Sequence, residues 1–232
     1  MRAARGRTGA PGAAIFRAMN KSAPTTRPAD KPPRRRMDRE ARKRQLLDCA
    51  ITAFAERGTA RAGHADVARL AAVSVATVFE YFPTRERLLD AVLREIEQFL
   101  YAVMAVGATA ADVRSRVLDI FHAFQACVDA QPQHMRVWLD WSTSVREGVW
   151  LHYVEVQERI IDMFEQMIEA GRTAGSICPA VISGDAARIL VGQAHMIVMM
   201  RFASVDQASV VRFIDHMIDS ALPPVPTTVT DA

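Results

Sequence analysis

The spacing of apolar residues is the feature that most constrains this chain. Through most of the sequence they recur every three or four positions, which places them on one face of an α-helix. The pattern is clear between Leu46 and Phe54, and Gly58 follows as a helix terminator. Prolines cluster near the two ends, whereas Ala, Leu, Arg, Glu and Met, which favour helices, dominate the middle. The sequence therefore predicts an all-α fold.

Capping and helix-breaking residues divide this pattern into separate helices. Asp38, Ser74 and Thr84 are placed to cap the first, third and fourth helices, and Pro83 ends the third. The other predicted helices span about 64–71, 111–130, 132–146, 149–173, 184–202 and 207–221. We expect a disordered basic tail over 1–33, a three-helix unit over 34–83, a six-helix bundle over 84–222 and a flexible tail over 223–232.

Charge is distributed unevenly along the chain. Residues 1–44 contain 14 Lys and Arg against 3 Asp and Glu, whereas the remainder contains 15 against 23. A cationic arm on an acidic body is typical of a polyanion-binding protein, because basic side chains at phosphates release counterions. A solubilising tail is the alternative. Met19 and Met37 are alternative starts, and a start at Met37 would remove the run Arg34–Arg36.

The sequence argues against several other classes of protein. Cys49, Cys127 and Cys178 lie far apart without metal-ligand spacing, so we expect buried, reduced thiols in a cytoplasmic protein. The most apolar stretch, residues 186–205, is interrupted by charged side chains and is predicted to be a buried helix rather than a membrane span. The chain contains no nucleophile elbow, phosphate-binding glycine loop or HExxH motif, which argues against an enzyme, and we expect no cofactor or metal.

Two short helices that meet at a tight turn between Asp66 and Phe82 form the most informative segment. Val67, Leu70, Val73, Val78 and Phe82 can point inward together, which leaves Ser74, Ala76, Thr77 and Tyr81 facing outward. Hydroxyl groups beside a helix N-terminus suit phosphate oxygens, and methyl groups suit the thymine methyl. This pattern predicts a helix-turn-helix, in which the second helix enters the major groove of DNA. A helix-turn-helix that serves protein contacts is the alternative.

The same segment also carries a recognisable order of residues. It reads Val67-Ala68, Ala72-Val73-Ser74, Thr77, Phe79, Tyr81-Phe82, Arg85-Glu86 and Leu88, which resembles the DNA-binding domain of the TetR family of regulators. Gly63–Asp66 and a second block, Val137–Glu147 followed by Val149-Trp150, resemble the LuxR/HapR/SmcR branch of quorum-sensing master regulators. The resemblance extends from about Arg34 to Phe202. It implies a TetR-like fold, with a helix-turn-helix domain before a ligand-binding and dimerisation bundle.

The resemblance further implies a homodimer that binds a pseudo-palindromic DNA site and either represses or activates transcription. By that analogy the DNA-binding residues divide into base or nearby backbone contacts (Ser74, Ala76, Thr77), phosphate contacts (His64, Tyr81) and minor-groove contacts (Arg34, Arg36). His64 and Tyr81 have structural alternatives, which are packing beside the second helix and sealing the turn before Pro83.

Glu80 departs from the pattern of the branch, in which we expect Asn at this position. A carboxylate among phosphates is repelled unless it accepts a hydrogen bond from a cytosine amino group or pairs with a cation such as Arg85. The resemblance therefore implies that Glu80 changes the preferred DNA sequence.

An aromatic and methionine stripe in the second bundle predicts either plain core or a pocket for a small hydrophobic effector. The candidate pocket residues are Phe121, Phe124, Trp138, Trp141, Gln157, Ile161, His195, Met196 and Met199. The resemblance favours the pocket, since TetR relatives couple an effector in this domain to the DNA-binding heads through the fourth helix.

The last two helices have apolar faces broader than burial inside one subunit requires, and we expect them to form the dimer interface. The candidate contacts are Val191, Ala194, Val198, Phe213, Ile214, Met217 and Ile218. Packing of some of these residues inside their own subunit is the alternative.

Overall fold

The structure is a computed structural model that describes residues 38–108, 110–145 and 148–225, and these residues form nine α-helices. The helices are α1 (Arg39–Arg57), α2 (His64–Ala71), α3 (Val75–Tyr81), α4 (Arg85–Met104), α5 (Val113–Ala130), α6 (Pro132–Thr143), α7 (Trp150–Thr173), α8 (Ser183–Phe202) and α9 (Gln207–Ala221). The predicted all-α fold is confirmed.

The ends of the helices follow from local sequence. Ser74 and Thr84 cap α3 and α4 as predicted, because their hydroxyl oxygens accept hydrogen bonds from the backbone N–H groups of Thr77 and Arg87. Asp38 lies at the predicted N-cap position of α1, and its carbonyl oxygen accepts the Arg42 N–H, but its side chain makes no capping hydrogen bond. Gly58 ends α1 with φ at 81°, a left-handed conformation that glycine adopts without steric cost.

Helices α1 to α3 form a small unit around a shared apolar centre. Val67, Val78 and Phe82 are buried there, and Leu70 and Val73 are half-buried against them. Ala72 turns the chain between α2 and α3 with φ at 53°. The sharp turn sets α3 across α2, so one side of α3 packs inward and the other stays exposed.

Helices α5 to α9 form the larger bundle, in which α7 packs along α8 and α9 packs on α5 and α8. At Gly171 of α7 a Cβ atom would stand 2.8 Å from side-chain carbons of Ile177 and Val113, so only glycine allows this approach. The buried side chains form one continuous core that extends from α1 to α9, and α4 is the helix that runs through both parts.

The cysteine thiols and the hydropathy of the helices bear on two further predictions. Cys49, Cys127 and Cys178 are free thiols, but only Cys127 is buried. Cys49 and Cys178 are half-buried, so the prediction that they are buried is corrected. Burial raises the pKa of Cys127 to about 11. Among the described helices, none combines the length and the hydropathy that a bilayer-spanning segment needs.

Candidate nucleic-acid interface and effector cavity

The N-terminus of α3 is built by two hydroxyl side chains that bind one another. Ser74 Oγ accepts a hydrogen bond from the Thr77 backbone N–H at 3.1 Å and lies 2.9 Å from Thr77 Oγ1. This capping arrangement satisfies one N–H group and fixes both hydroxyls at the exposed start of the helix. The positive end of the helix dipole and two hydroxyl groups therefore face solvent together, which suits an anionic oxygen.

The outer face of α3 carries most of the residues predicted to contact DNA. Ser74, Ala76 and Glu80 are exposed, and Thr77 and Tyr81 are half-buried. Arg34 and Arg36 lie outside the described residues.

His64 is placed differently from the prediction. Its side chain is buried at 7% exposure, its Nε2 lies 2.7 Å from the Phe82 carbonyl oxygen, and its ring stacks on Phe79. Since the carbonyl only accepts, Nε2 donates this hydrogen bond, and the ring is enclosed within its own domain. The placement of His64 therefore supports the alternative role of packing inside the domain, and the predicted phosphate contact is corrected.

Glu80 and Arg85 do not meet. Arg85 Nε donates to the Ala62 carbonyl oxygen at 2.9 Å, and its terminal nitrogen donates to the Thr59 carbonyl oxygen. Among the ion pairs of the described residues none involves Glu80, which stands exposed on α3. Arg85 therefore does not neutralise Glu80, because its guanidinium binds two backbone carbonyl oxygens instead.

Two exposed apolar side chains on α3 were missed as candidates. Val75 and Phe79 are 42% and 46% exposed, and their spacing of four residues places them on one face of the helix. The spacing of Val75 and Phe79 was visible in the sequence, but the sequence is equally consistent with a buried position for Phe79. They lie on a different side of α3 from Thr77 and Tyr81, because residues two positions apart do not share a helix face, and Phe79 stacks there on His64.

An apolar cavity lies inside the larger bundle, between α4, α5, α6, α7 and α8. Its volume is about 60 Å³. Five of the predicted pocket residues line it: Phe121, Phe124, Trp138, Trp141 and Gln157. The lining residues that were not predicted as pocket residues are Leu100, Val103, Met104, Ile120, Tyr153, Val156, Ile160, Phe164, Val191 and Ala194. They include the inner face of α4, whose apolar stripe was visible in the sequence without indicating a cavity.

Four predicted pocket residues do not line this cavity. Ile161 is buried elsewhere in the core, and Met196 and Met199 are 49% and 55% exposed on the outer side of α8. His195 and Met199 instead border an open groove beside the end of α1. Because α8 is apolar around most of its circumference, periodicity did not show which side faces α7, and these placements are corrected.

His195 nevertheless supports the cavity wall from behind. Its ring lies 4.2 Å from the Trp138 ring centroid, and its Nε2 is 3.3 Å from Tyr153 Oη. Burial lowers the pKa of His195, because the imidazolium loses its hydration, and raises the pKa of Tyr153 to about 12. A neutral imidazole and a neutral phenol therefore hold Trp138 and Tyr153 in fixed positions beside the cavity.

The predicted dimer contacts are mostly inside the single chain. Val198, Ile214 and Ile218 are fully buried, Val191 and Met217 are nearly so, and Ala194 and Phe213 are half-buried. The fully buried residues cannot touch a second subunit in this structure, so their assignment is corrected to core. The reason is that α9 packs its apolar face on α5 and α8 of its own subunit.

A different apolar row remains exposed along α8. Ile189 and Met196, seven residues apart, are each about half exposed, and Met199 continues the row one turn later. Gly192 lies between them without any atom near its Cβ position. This row, Ile189–Met196–Met199, is called the α8 row below.

A capped and exposed second helix of a helix-turn-helix, joined to a larger helical bundle with an internal cavity, defines the class of helix-turn-helix transcriptional regulators. Residues 46–92 match the family described as bacterial regulatory proteins, tetR family. The chain is 33% identical to the HTH-type transcriptional regulator LuxR of Vibrio harveyi over 193 residues, which is 82% of this chain and 93% of LuxR. The chain belongs to the tetR family of bacterial regulatory proteins.

Solved structures agree with this fold. A TetR-like transcriptional regulator from Rhodococcus sp. RHA1 has a TM-score of 0.67 at 16% identity and covers 80% of this chain and 96% of its own. The regulator FadR from Bacillus subtilis in complex with stearoyl-CoA has a TM-score of 0.65 at 14% identity, with coverage of 79% and 99%. The family match and the similarity to LuxR confirm the resemblance inferred from the sequence, and the solved structures confirm the fold.

Proposed function

We propose that the chain binds a pseudo-palindromic DNA duplex as a homodimer, with α3 of each subunit in a major groove. The observation that carries this proposal is the free outer face of α3, where Ser74 and Thr77 present two hydroxyls at a capped helix N-terminus. Ala76 and Thr77 offer methyl groups to thymine, and Tyr81 offers a hydroxyl to phosphate. Residues 38–82 would form the DNA-binding unit, with Arg34 and Arg36 reaching the minor groove.

The dimer is proposed to form through the α8 row. Methionine and isoleucine side chains that are half exposed in one chain lose their contact with water when two copies of α8 pack together. A two-fold dimer uses the same patch on both subunits, so one self-complementary row is sufficient. The absence of a side chain at Gly192 permits a close approach of two helices.

The cavity is proposed to hold a small, largely apolar effector. Its lining is aromatic and aliphatic, and Gln157 supplies a polar group for orientation. Its volume of about 60 Å³ is well below that of a drug-sized pocket, so a larger effector would have to displace side chains. The complex of FadR with stearoyl-CoA supports a ligand role for this domain in a protein of the same fold.

We place the protein in the cytoplasm, where it would reach the chromosome, and its similarity to LuxR supports a role in quorum sensing.

DNA binding can be tested by fluorescence anisotropy with duplexes selected from a randomised pool. The affinity of the parent protein should fall steeply as salt is raised, because phosphate contacts release counterions. The double variant Thr77→Ala, Tyr81→Phe should lose at least about tenfold in affinity, since it removes two hydroxyls from the proposed interface. Thr173→Ala, an exposed threonine at the end of α7, is the control and should bind as the parent does. Failure of the parent to retain any duplex at low salt would remove the proposal.

A further inference from the structure

A polar junction joins the DNA-binding unit to the larger bundle at a point away from α4. Asp140 Oδ2 of α6 accepts two hydrogen bonds from Thr59, one from its backbone N–H and one from its hydroxyl, both at 2.6 Å. Ser144 Oγ donates to the Asp140 carbonyl oxygen at 2.8 Å and lies 3.3 Å from Thr59 Oγ1. Thr59 and Ser144 are buried, so water competes little for these bonds.

The loop after α1 is shaped for this contact. Gly58 has φ at 81°, and a Cβ atom there would stand 3.4 Å from Asp140 Oδ1. The left-handed glycine therefore brings the Thr59 N–H to the carboxylate without a side chain in between. Any other residue at position 58 would be strained in its backbone.

The same loop is held from its other side by the start of α4. Arg85 donates to the carbonyl oxygens of Thr59 and Ala62. The backbone of Thr59 thus links a carboxylate of α6 to a guanidinium of α4, and only three residues separate α4 from the end of α3. The junction consists of Thr59, Asp140, Ser144 and Arg85.

On α6 the junction shares one helical turn with the cavity. Trp138 and Trp141 line the cavity and flank Asp140 in sequence. Trp141 is fully buried, and its Nε1 donates to the Val149 carbonyl oxygen, so the indole cannot move without moving α6 or the segment that follows it. A shift of the Trp141 indole that carries α6 with it therefore alters the position of the Asp140 carboxylate.

We propose that Asp140 is a positioning residue that fixes the angle of the DNA-binding unit on the bundle and transmits changes in the cavity to α3. This inference rests on the proposed DNA binding. It adds a coupling route through α6 to the coupling between effector and DNA-binding unit that is expected through α4. A carboxylate that accepts two short hydrogen bonds from one residue fixes the orientation of that residue as well as its distance. Occupancy of the cavity would change DNA affinity by changing the fraction of chains whose DNA-binding unit is oriented correctly for the duplex.

The first experiment combines hydrogen exchange with DNA binding. In Asp140→Asn the amide oxygen is a weaker acceptor, so the Thr59 N–H should exchange faster, and the affinity for the selected duplex should fall roughly three- to tenfold. Thr59→Val should show a similar loss of DNA affinity. Thr59→Ser, which keeps the hydroxyl, should retain most of the affinity of the parent. Asp162→Asn, an exposed acid of α7, is the control for charge.

Two outcomes would overturn the inference while leaving the proposed function in place. One is faster exchange at Thr59 with unchanged DNA affinity, because the junction would then form without orienting the head. The other is a loss of affinity that merely follows a loss of folded protein, measured by thermal unfolding of each variant. Absence of DNA binding by the parent is a separate result, which removes the proposed function itself.

The second experiment alters the cavity without a ligand. Val156 of α7 is buried and lines the cavity, so Val156→Phe fills it, and Val156→Leu is a milder change if the first variant folds poorly. We expect the filled cavity to change DNA affinity at least about threefold in the parent and less than about twofold in the Asp140→Asn background, because the two sites are coupled. An equal change in both backgrounds, or none in the parent, would show that Asp140 does not carry the signal.

Discussion

The imidazole of His64 stacks on the phenyl ring of Phe79, with centroids 3.9 Å apart and ring planes inclined by 9°. The same imidazole donates from Nε2 to the Phe82 carbonyl oxygen. One side chain at the start of α2 therefore holds α3 in its middle and at its end. The orientation of the proposed recognition helix depends on a residue that does not itself reach the surface.

His64→Ala should destabilise the protein by about 1–3 kcal/mol, because the Phe82 carbonyl loses its buried donor and Phe79 loses its stacking partner. DNA affinity should fall as well, since α3 is no longer fixed. Chemical denaturation and anisotropy measure the two effects. His216→Ala, which removes an exposed histidine of α9, should change neither, and an equally stable His64→Ala protein would contradict the packing role.

Glu80→Asn should tighten DNA binding or shift the preferred base at one position. Glu80 is exposed on the face of α3 that carries Ser74 and Thr77, and its carboxylate would face phosphates. Removal of one negative charge should weaken the repulsion by an amount that grows as salt is lowered. Selection from a randomised duplex pool, followed by affinity measurements at two salt concentrations, tests this. Identical site preferences and affinities for both proteins would argue that Glu80 lies outside the interface.

The double variant Ile189→Glu, Met196→Glu should convert the proposed dimer into monomers. In a two-fold interface both added carboxylates of each subunit are buried against the same patch of the other subunit, and burial of unpaired like charges is strongly unfavourable. Sedimentation velocity gives the oligomeric state. Leu151→Glu, at an exposed leucine of α7, is the matched control and should remain dimeric. If the double variant sediments as a dimer, the interface lies elsewhere.

Stability should decrease as the pH falls below the ordinary histidine pKa of 6.5, because burial lowers the pKa of His195 in the folded chain. The unfolded chain then takes up a proton at a higher pH than the folded chain, so the free energy of unfolding falls between 6.5 and the lowered folded-state pKa. Burial lowers the pKa of His134 in the same direction.

Unfolding free energies measured at a series of pH values test this dependence. His195→Gln should flatten the profile below pH 6.5, with the remaining slope due to His134 and any other group whose folded pKa differs. A profile that is as steep without His195 as with it would contradict the role of its burial.

Local features of the chain were readable in advance because they depend on neighbouring residues alone. Ser74 and Thr84 cap helices three residues ahead of the N–H groups that they bind, and Gly58 ends α1 through its own backbone conformation. The order of residues from Val67 to Leu88 was sufficient to indicate the family, because the turn and its inward-facing residues lie within one short segment.

The sequence by itself determined the helices, their ends and the helix-turn-helix, because hydrogen bonds and caps within a helix reach only a few residues. Tertiary structure decided which sides of these helices are buried. His64 binds a carbonyl oxygen 18 residues away, and Thr59 binds a carboxylate 81 residues away. Likewise, α8 is apolar on several sides, so only its packing on α7 and α9 placed Val198 in the core and Met199 at the surface. Side-chain partners so distant in sequence are set by how the helices pack, and no local period encodes them.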